Sequence, residues 1–259
     1  MPLILGIIAS SLIKAITDTF TRANAATLGS AESGQAWSVL RGTGWGVASN
    51  AASNTTDAAS SYPLASIQGP NLNLTMEVTS MGNGPGIAFW VTDANNWWGV
   101  YQNRVDTVVN PPSYYAGDYS PPSYYAGQYS PPSYDAFRGY YYAGFYIPPS
   151  FFAGSYSPPS YYAGSSTIAY SLNLIKAVAG TISSVATQAL GATQSLALRV
   201  VTSGLSITAT GYTNTTATTQ NGTALTNTQA SATTTSKTGI LIAPSSNGQS
   251  QTIDSFTAK

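Results

Sequence analysis

Leu72, Leu74, Met76 and Val78 alternate with Asn73, Thr75, Glu77 and Thr79, a period of two that predicts a strand with one buried face. Short β-branched or aromatic runs, punctuated by Gly, Asn, Pro or Asp, recur in both outer parts of the chain. In the first part they are 16–21, 36–41, 44–49, 61–66, 86–92 and 97–102. In the last part they are 168–176, 178–186, 195–202, 205–212, 224–233, 237–243 and 252–258. Leu196, Leu198 and Val200, then Ser203-Gly204, then Leu205 and Ile207, predict a hairpin with a tight glycine turn. Beyond the first sixteen residues no segment carries a sustained helical period. The pattern predicts an all-β chain, an antiparallel sandwich or barrel.

Between the two parts the pattern changes to a ten-residue repeat. PPSYYAGDYS at 111–120 is followed by PPSYYAGQYS at 121–130 and PPSYDAFRGY at 131–140. PPSFFAGSYS at 148–157 and PPSYYAGSST at 158–167 then resume the unit. Each Pro-Pro step is extended and lacks ladder donors, and each Ala-Gly supplies a bend, so helix is excluded and no regular sheet runs through the segment. The flanking runs Trp97 to Tyr101 and Tyr170 to Leu174 would be neighbouring strands if the insert were deleted. An elongated hairpin-like arm follows, with repeats running outward to about Tyr134, residues 135–147 as its tip, and repeats running back. In that arm Tyr114, Tyr115, Tyr124 and Tyr125 would stack against Phe151, Phe152, Tyr161 and Tyr162, each good pair adding about 0.5–1.5 kcal/mol. The Pro, Gly and Ser density is that of a disordered tract, but the aromatic load is not. The chain thus divides into an apolar N-terminal segment (1–16), a discontinuous sandwich (17–102 and 168–259) and an inserted Tyr/Pro-rich repeat arm (103–167).

The opening MPLILGIIASSLIKAI is the most apolar stretch. It lacks the leading positive charge of a secretory signal, since Lys14 follows the apolar run, and it is shorter than the roughly 20 residues of a membrane-spanning helix. It reads either as a first core strand or short helix, or as an anchor in which Leu3, Ile4, Leu5, Ile7 and Ile8 contact a partner subunit. No membrane span is expected.

Of the 259 residues only 7% are charged, and the formal net charge is zero. A neutral surface has no field to attract nucleic acid and little to repel neighbouring copies. The absence of Cys and His removes disulfides, thiolates and the commonest general base and transition-metal ligand. No catalytic set, metal site or cofactor is expected. Asp93, Asn95, Asn96 and Trp97 form the best local candidate for a glycan or calcium contact, because carboxylate and amide oxygens bind hydroxyls or a hard cation while an indole face stacks on a pyranose; the same spacing suits a plain Asx turn. Trp97 and Trp98 are consecutive, so on a strand they face opposite sides. Arg104 with Asp106, and Asp135 with Arg138, read as local ion pairs of small energetic weight. The repeat tyrosines offer large rigid area with a polar tip, the chemistry of a contact surface, and the arm reads equally as a spacer.

The run Ile16-Thr-Asp-Thr-Phe20-Thr-Arg, with Leu28-Gly and Gly34-Gln-Ala-Trp37, resembles the start of jelly-roll domains of phage tail and other virion proteins, which look like concanavalin-A-type lectins and laminin-G modules. Gly86-Ile-Ala-Phe-Trp-Val, Asn96-Trp-Trp-Gly-Val-Tyr101, Lys237-Thr-Gly-Ile-Leu-Ile and Ile253-Asp-Ser-Phe256 are similar to their middle and closing strands. The resemblance implies an antiparallel jelly-roll-like β-sandwich in which Asp18-x-Phe20 and Asp254-x-Phe256 lie in one region. It also implies glycan binding in many relatives, and in some a hydrolase site with two Glu and an Asp on one strand. Here Glu32 and Glu77 stand in separate segments without an acidic neighbour at alternating spacing, which disfavours an enzyme. The resulting expectation is a structural protein of a bacteriophage virion, a capsid decoration or tail component at the particle surface. It would dock through its apolar N-terminus onto other virion proteins and form symmetric homo-oligomers, trimers above all. The alternative is a carbohydrate-binding adhesin for a host-cell surface glycan.

Overall fold

The computed structural model describes residues 14–55, 62–78, 84–230, 237–244 and 251–259. The proposed contacts Leu3, Ile4, Leu5, Ile7 and Ile8 lie outside the described residues. The chain up to the repeats forms β1 (Ile16–Asp18), β2 (Trp37–Arg41), β3 (Trp45–Ala48), β4 (Ala51–Asn54), β5 (Leu64–Gln68), β6 (Asn73–Glu77), β7 (Pro85–Asp93) and β8 (Asn96–Asn110). The repeats form β9 (Ser113–Tyr115), β10 (Tyr119–Ser120), β11 (Ser123–Tyr125), β12 (Gln128–Ser130) and β13 (Ser133–Asp135). They return as β14 (Tyr140–Tyr142), β15 (Phe145–Ile147), β16 (Ser150–Phe152), β17 (Ser155–Tyr156) and β18 (Ser160–Tyr162). The last part forms β19 (Ser165–Val178), β20 (Thr181–Gly191), β21 (Ala197–Ser203), β22 (Ser206–Tyr212), β23 (Gln220–Thr228), β24 (Lys237–Ile242), β25 (Gln251–Ile253) and β26 (Ser255–Ala258). Among the described residues no helix is long and apolar enough to cross a membrane.

Two compact units result: the chain up to Asp106 together with Ile168 onward, and Thr107–Thr167. In the first, a six-stranded sheet has the order β1-β26-β6-β21-β22-β23 and a seven-stranded sheet the order β2-β5-β24-β7-β8-β19-β20. A small sheet of order β25-β4-β3 completes it. The fold is all-β and antiparallel, consistent with a β-sandwich: Leu74, Met76, Leu198, Val200, Ile207 and Phe256 of the six-stranded sheet share one core with Ile67, Ile87, Phe89, Trp98, Val100, Leu172 and Ile240 of the seven-stranded sheet.

Alternation positions this core as the sequence pattern requires. Leu74, Met76 and Val78 are fully buried, but Leu72 precedes the strand and is 61% exposed. The seven-stranded sheet is apolar on both faces. Ile240 and Ile242 enter the main core, while Leu241 and Ala243 join Leu64, Ala88, Val91, Trp97, Ile175 and Ala177 in a second cluster. Gly99 belongs to that second face, where a Cβ would collide with Leu241 and press on Trp97.

Tyr62 and Tyr101 pack on the second cluster with ring centroids 6.2 Å apart. Burial, and then Tyr62 beside it, push the Tyr101 phenol above the usual tyrosine value. The folded state therefore keeps a proton that the unfolded chain releases, so this contribution is complete below about pH 10 and is lost as the pH rises beyond it. In urea titrations above that pH the wild-type midpoint is expected to fall more steeply than that of Tyr101→Phe; equal slopes would contradict the assignment.

β1 pairs with β26 so that Asp18 stands opposite Phe256, bringing the Asp18 and Asp254 motifs into one region. Asp18 is fully buried. Its carboxylate accepts from the Phe20 amide at 2.9 Å, from Arg22 Nη1 and Nη2 at 2.7 and 3.0 Å, and from Trp37 Nε1 at 2.7 Å. Phe20 takes a left-handed conformation, φ 53°, that turns the chain off β1. Its ring lies 5.9 Å from Trp37, which in turn meets Phe256 at 5.7 Å. One carboxylate thus joins the first strand, the Phe20 turn and β2.

Candidate functional site

Residues 107–167 form a compact unit of their own. β9 pairs with β18, β10 with β17, β11 with β16, β12 with β15 and β13 with β14, all antiparallel. The register runs without slip from Ser113↔Tyr162 to Asp135↔Tyr140. Tyr114 stands opposite Tyr161 and Tyr124 opposite Phe151. The Tyr115 and Tyr162 rings meet edge-on at 5.8 Å, and Tyr134 and Tyr141 lie 5.4 Å apart.

The repeat explains this register. Each Ala-Gly step faces a Pro-Pro step across the ribbon. A Cβ on Gly117 would strike the Ser157 carbonyl and the Pro158–Pro159 backbone. Gly127 meets Ile147 and Pro148–Pro149 in the same way, Gly144 meets Ser130 and Pro131–Pro132, and Gly154 meets Ser120 and Pro121–Pro122. Glycine is needed at these points for close backbone approach rather than for an unusual φ. The ladder is therefore cut into rungs of two or three residues, because the prolines offer no donors.

Residues 135–147, which the repeat interruption marks as a tip, divide in two. The turn itself is only Ala136–Gly139: Asp135 Oδ1 accepts from the Phe137 and Arg138 amides at 3.0 and 3.2 Å, and the Gly139 amide donates to the Asp135 carbonyl at 2.8 Å. Asp135 thus shapes the turn through backbone amides. Tyr140 to Ile147 already belongs to the returning ladder, with Ala143-Gly144 facing Pro131-Pro132.

The unit has no interior. Every residue from 107 to 167 is exposed except Gly127 and Asp135, which are half-buried. Fourteen of the chain's 18 tyrosines and four of its 7 phenylalanines lie here, and these rings are 54–98% exposed. Alternation places Tyr114 and Tyr161 on one face of their rung and Tyr115 and Tyr162 on the other, so both faces carry aromatic rings. Tyr115, Tyr162, Asp118, Ser113, Ser157 and Ser160 line an open hollow of about 540 Å3.

The Asp93–Asn96 candidate is a hairpin turn. Asp93 Oδ1 accepts from the Asn95 amide at 2.7 Å, and the Asn96 side-chain amide donates to both Asp93 oxygens at 3.0 and 3.1 Å. The Asn95 amide, and after it the Asn96 side chain, lower the Asp93 pKa. Asn96 Oδ1 accepts from the Ala179 amide at 3.1 Å and the Asn95 carbonyl from Gly180 at 3.0 Å. This ties the turn to the β19–β20 turn, where Ala179 and Gly180 both have positive φ. Trp97 is 1% exposed, with its indole N–H donating to the Ala94 carbonyl at 3.2 Å. Trp98 is buried on the opposite face of the sheet under Lys176, whose Nζ lies 4.8 Å from its ring. A cleft of about 290 Å3 runs beside Trp90, Thr92, Asn96, Trp97, Trp98 and Lys176.

Arg104 and Asp106 form an ion pair at 2.7 Å. The Glu32 carboxylate accepts from the Thr19 hydroxyl, and Glu77 pairs in β6 with Ala197 and Ser255. Among the described residues no group of three or more Asp or Glu is disposed to hold a metal ion. No family model, curated protein or solved structure matches the chain.

Proposed function

We propose that the protein is a non-enzymatic structural component of a bacteriophage virion, a capsid decoration or tail protein with a jelly-roll-type sandwich, and that its Tyr/Pro repeat arm is a contact surface. The observation that carries this is the repeat unit itself. An isolated two-stranded hairpin is marginally stable in water, and exposed aromatic surface on this scale marks an interaction site. Eighteen rings without a core under them are a surface built to be covered. The zero net charge of the chain supports dense packing, since neighbouring copies meet little electrostatic repulsion. The pairing of β1 with β26 supports the jelly-roll assignment, and the apolar run at Leu3–Ile8 supplies a second docking element.

Electron cryomicroscopy of particles carrying the chain tests the proposal. Density for residues 107–167 against neighbouring subunits at the particle surface is the expected result. A chain absent from particles, or a repeat segment free in solvent on every copy, would overturn it.

The hollow beside Tyr115 and Tyr162 favours a second function, a host-glycan adhesin. Two aromatic rings, a carboxylate and three serine hydroxyls in one open hollow are the groups that stack on and hydrogen-bond to a sugar. Its test is a glycan array on the intact chain: binding lost in Tyr115→Ser supports the adhesin, and no bound glycan removes it.

A further inference from the structure

We infer that the occupant of the aromatic repeat surface is the same surface on a second copy of this chain, docked face to face; the inference rests on the contact-surface function proposed above.

The edges of the ribbon are poor docking sites. Every ten residues a Pro-Pro step interrupts the outer edge of each strand, removing the donors on which strand addition depends and guarding that edge as edge prolines do in sheets. The faces are unguarded. The whole segment carries only Asp118, Asp135 and Arg138 as charges, so two such faces meet without repulsion or desolvated ion pairs.

The surface is also repetitive. Both strands carry the same unit in opposite directions in an unslipped register, so turning a rung through half a circle returns nearly the same pattern: Tyr114 exchanges with Tyr161, and Tyr115 with Tyr162. An isologous contact brings the same patch of two copies together, and a face of repeated like rings offers each ring a like partner there. Area suffices as well. A stable interface takes about 800 Å2 per partner and an aromatic side chain buries about 150–250 Å2, so about half a dozen rings per copy reach it.

The test uses the full chain in solution. Photo-oxidation with a ruthenium complex and persulfate removes one electron and one proton from each of two adjacent phenols, which couple as dityrosine while persulfate is reduced to sulfate. On a denaturing gel the inference expects covalent dimers, with the cross-links mapped by mass spectrometry between repeat segments of different chains. Substituting Tyr124, Tyr134, Tyr141 and Tyr161 together by serine is expected to weaken association in sedimentation velocity at least tenfold. Far-UV circular dichroism serves as the folding control for that variant, and the wild-type cross-link map stands without it. Covalent monomer alone, or dimers joined only through Tyr62, Tyr101, Tyr170 or Tyr212, would overturn the inference. Repeat tyrosines that cross-link to no second copy in solution yet are protected in the particle would overturn it while leaving the contact-surface function intact. Tyrosines unprotected in both would remove both.

Discussion

Replacing Asp18 by alanine is expected to cost about 3–5 kcal/mol of folding stability, the range for removing one partner of a buried charge pair. The carboxylate is fully buried and accepts from the Phe20 amide, Arg22 and Trp37 Nε1. Its loss leaves two of those donors without an acceptor inside the fold and the Arg22 guanidinium, 26% exposed, without its counter-charge. The Phe20 turn then lacks the bond that holds its positive φ, and Phe20, Trp37 and Phe256 lose their common anchor. Urea unfolding followed by tryptophan fluorescence measures the loss. Asp18→Asn keeps the size and one acceptor, so it is expected to fall between the wild type and Asp18→Ala. A loss below about 1 kcal/mol for Asp18→Ala, the weight of an exposed pair, would show that the carboxylate does not organise this corner.

The second large effect is confined to the repeats. Gly127→Val places side-chain atoms where the Ile147 carbonyl and the Pro148–Pro149 backbone lie, an overlap that no rotamer relieves. The expected cost is about 1–3 kcal/mol of local stability, the usual range for overpacking, which exceeds what a coreless ribbon holds. The ladder from β11 to β16 is expected to open. Backbone amide exchange in 113–162 should rise to that of an unstructured chain while the urea midpoint of the sandwich stays unchanged. Gly139→Ala makes the contrasting variant, because nothing lies within 4 Å of its Cβ position and only its φ of 68° is strained. It should slow or loosen the turn without opening the ladder. Unaltered exchange in Gly127→Val would contradict the interlock of glycine and proline.

Both effects bear on what the sequence makes legible. The alternation around Leu74 and Met76 marks β6 because one face of it is wet and one is dry. Gly-Ile-Leu-Ile in β24 has no alternation, since both faces of its sheet are apolar, and only its β-branched content marks the strand. β4 leaves no such trace. Ala51-Ala52-Ser53-Asn54 is buried throughout, and it is a strand because β3 and β25 pair with it, a long-range cause that local propensity does not carry. Trp97 shows the same limit at the candidate site. Beside Asp93 and Asn96 it has the composition of a sugar contact, but the second apolar cluster, visible only once the sheet order is known, draws its ring inward.

In the repeat segment the strand pairing is legible in the spacing, because pairing and spacing are one fact there. A ten-residue unit running out and back sets Ala-Gly against Pro-Pro wherever the hairpin has the right centre. The length of the tip was not legible. Tyr140-Tyr-Tyr-Ala-Gly-Phe-Tyr-Ile147 lacks the Pro-Pro-Ser start that identifies the unit, yet it keeps the Ala-Gly that must face Pro131-Pro132. Asp135 and Gly139 supply the acceptor and the positive φ that a four-residue turn requires.

Hydroxyl-radical labelling of the repeat tyrosines, compared between the chain diluted to monomer and the assembled particle, tests most directly whether this aromatic surface exists to be covered. Labelling of residues 113–162 that falls at least several-fold on assembly, while exposed side chains of the sandwich such as Val39 and Leu72 react as before, is the predicted result. Equal labelling of the repeat tyrosines in both states would contradict the account.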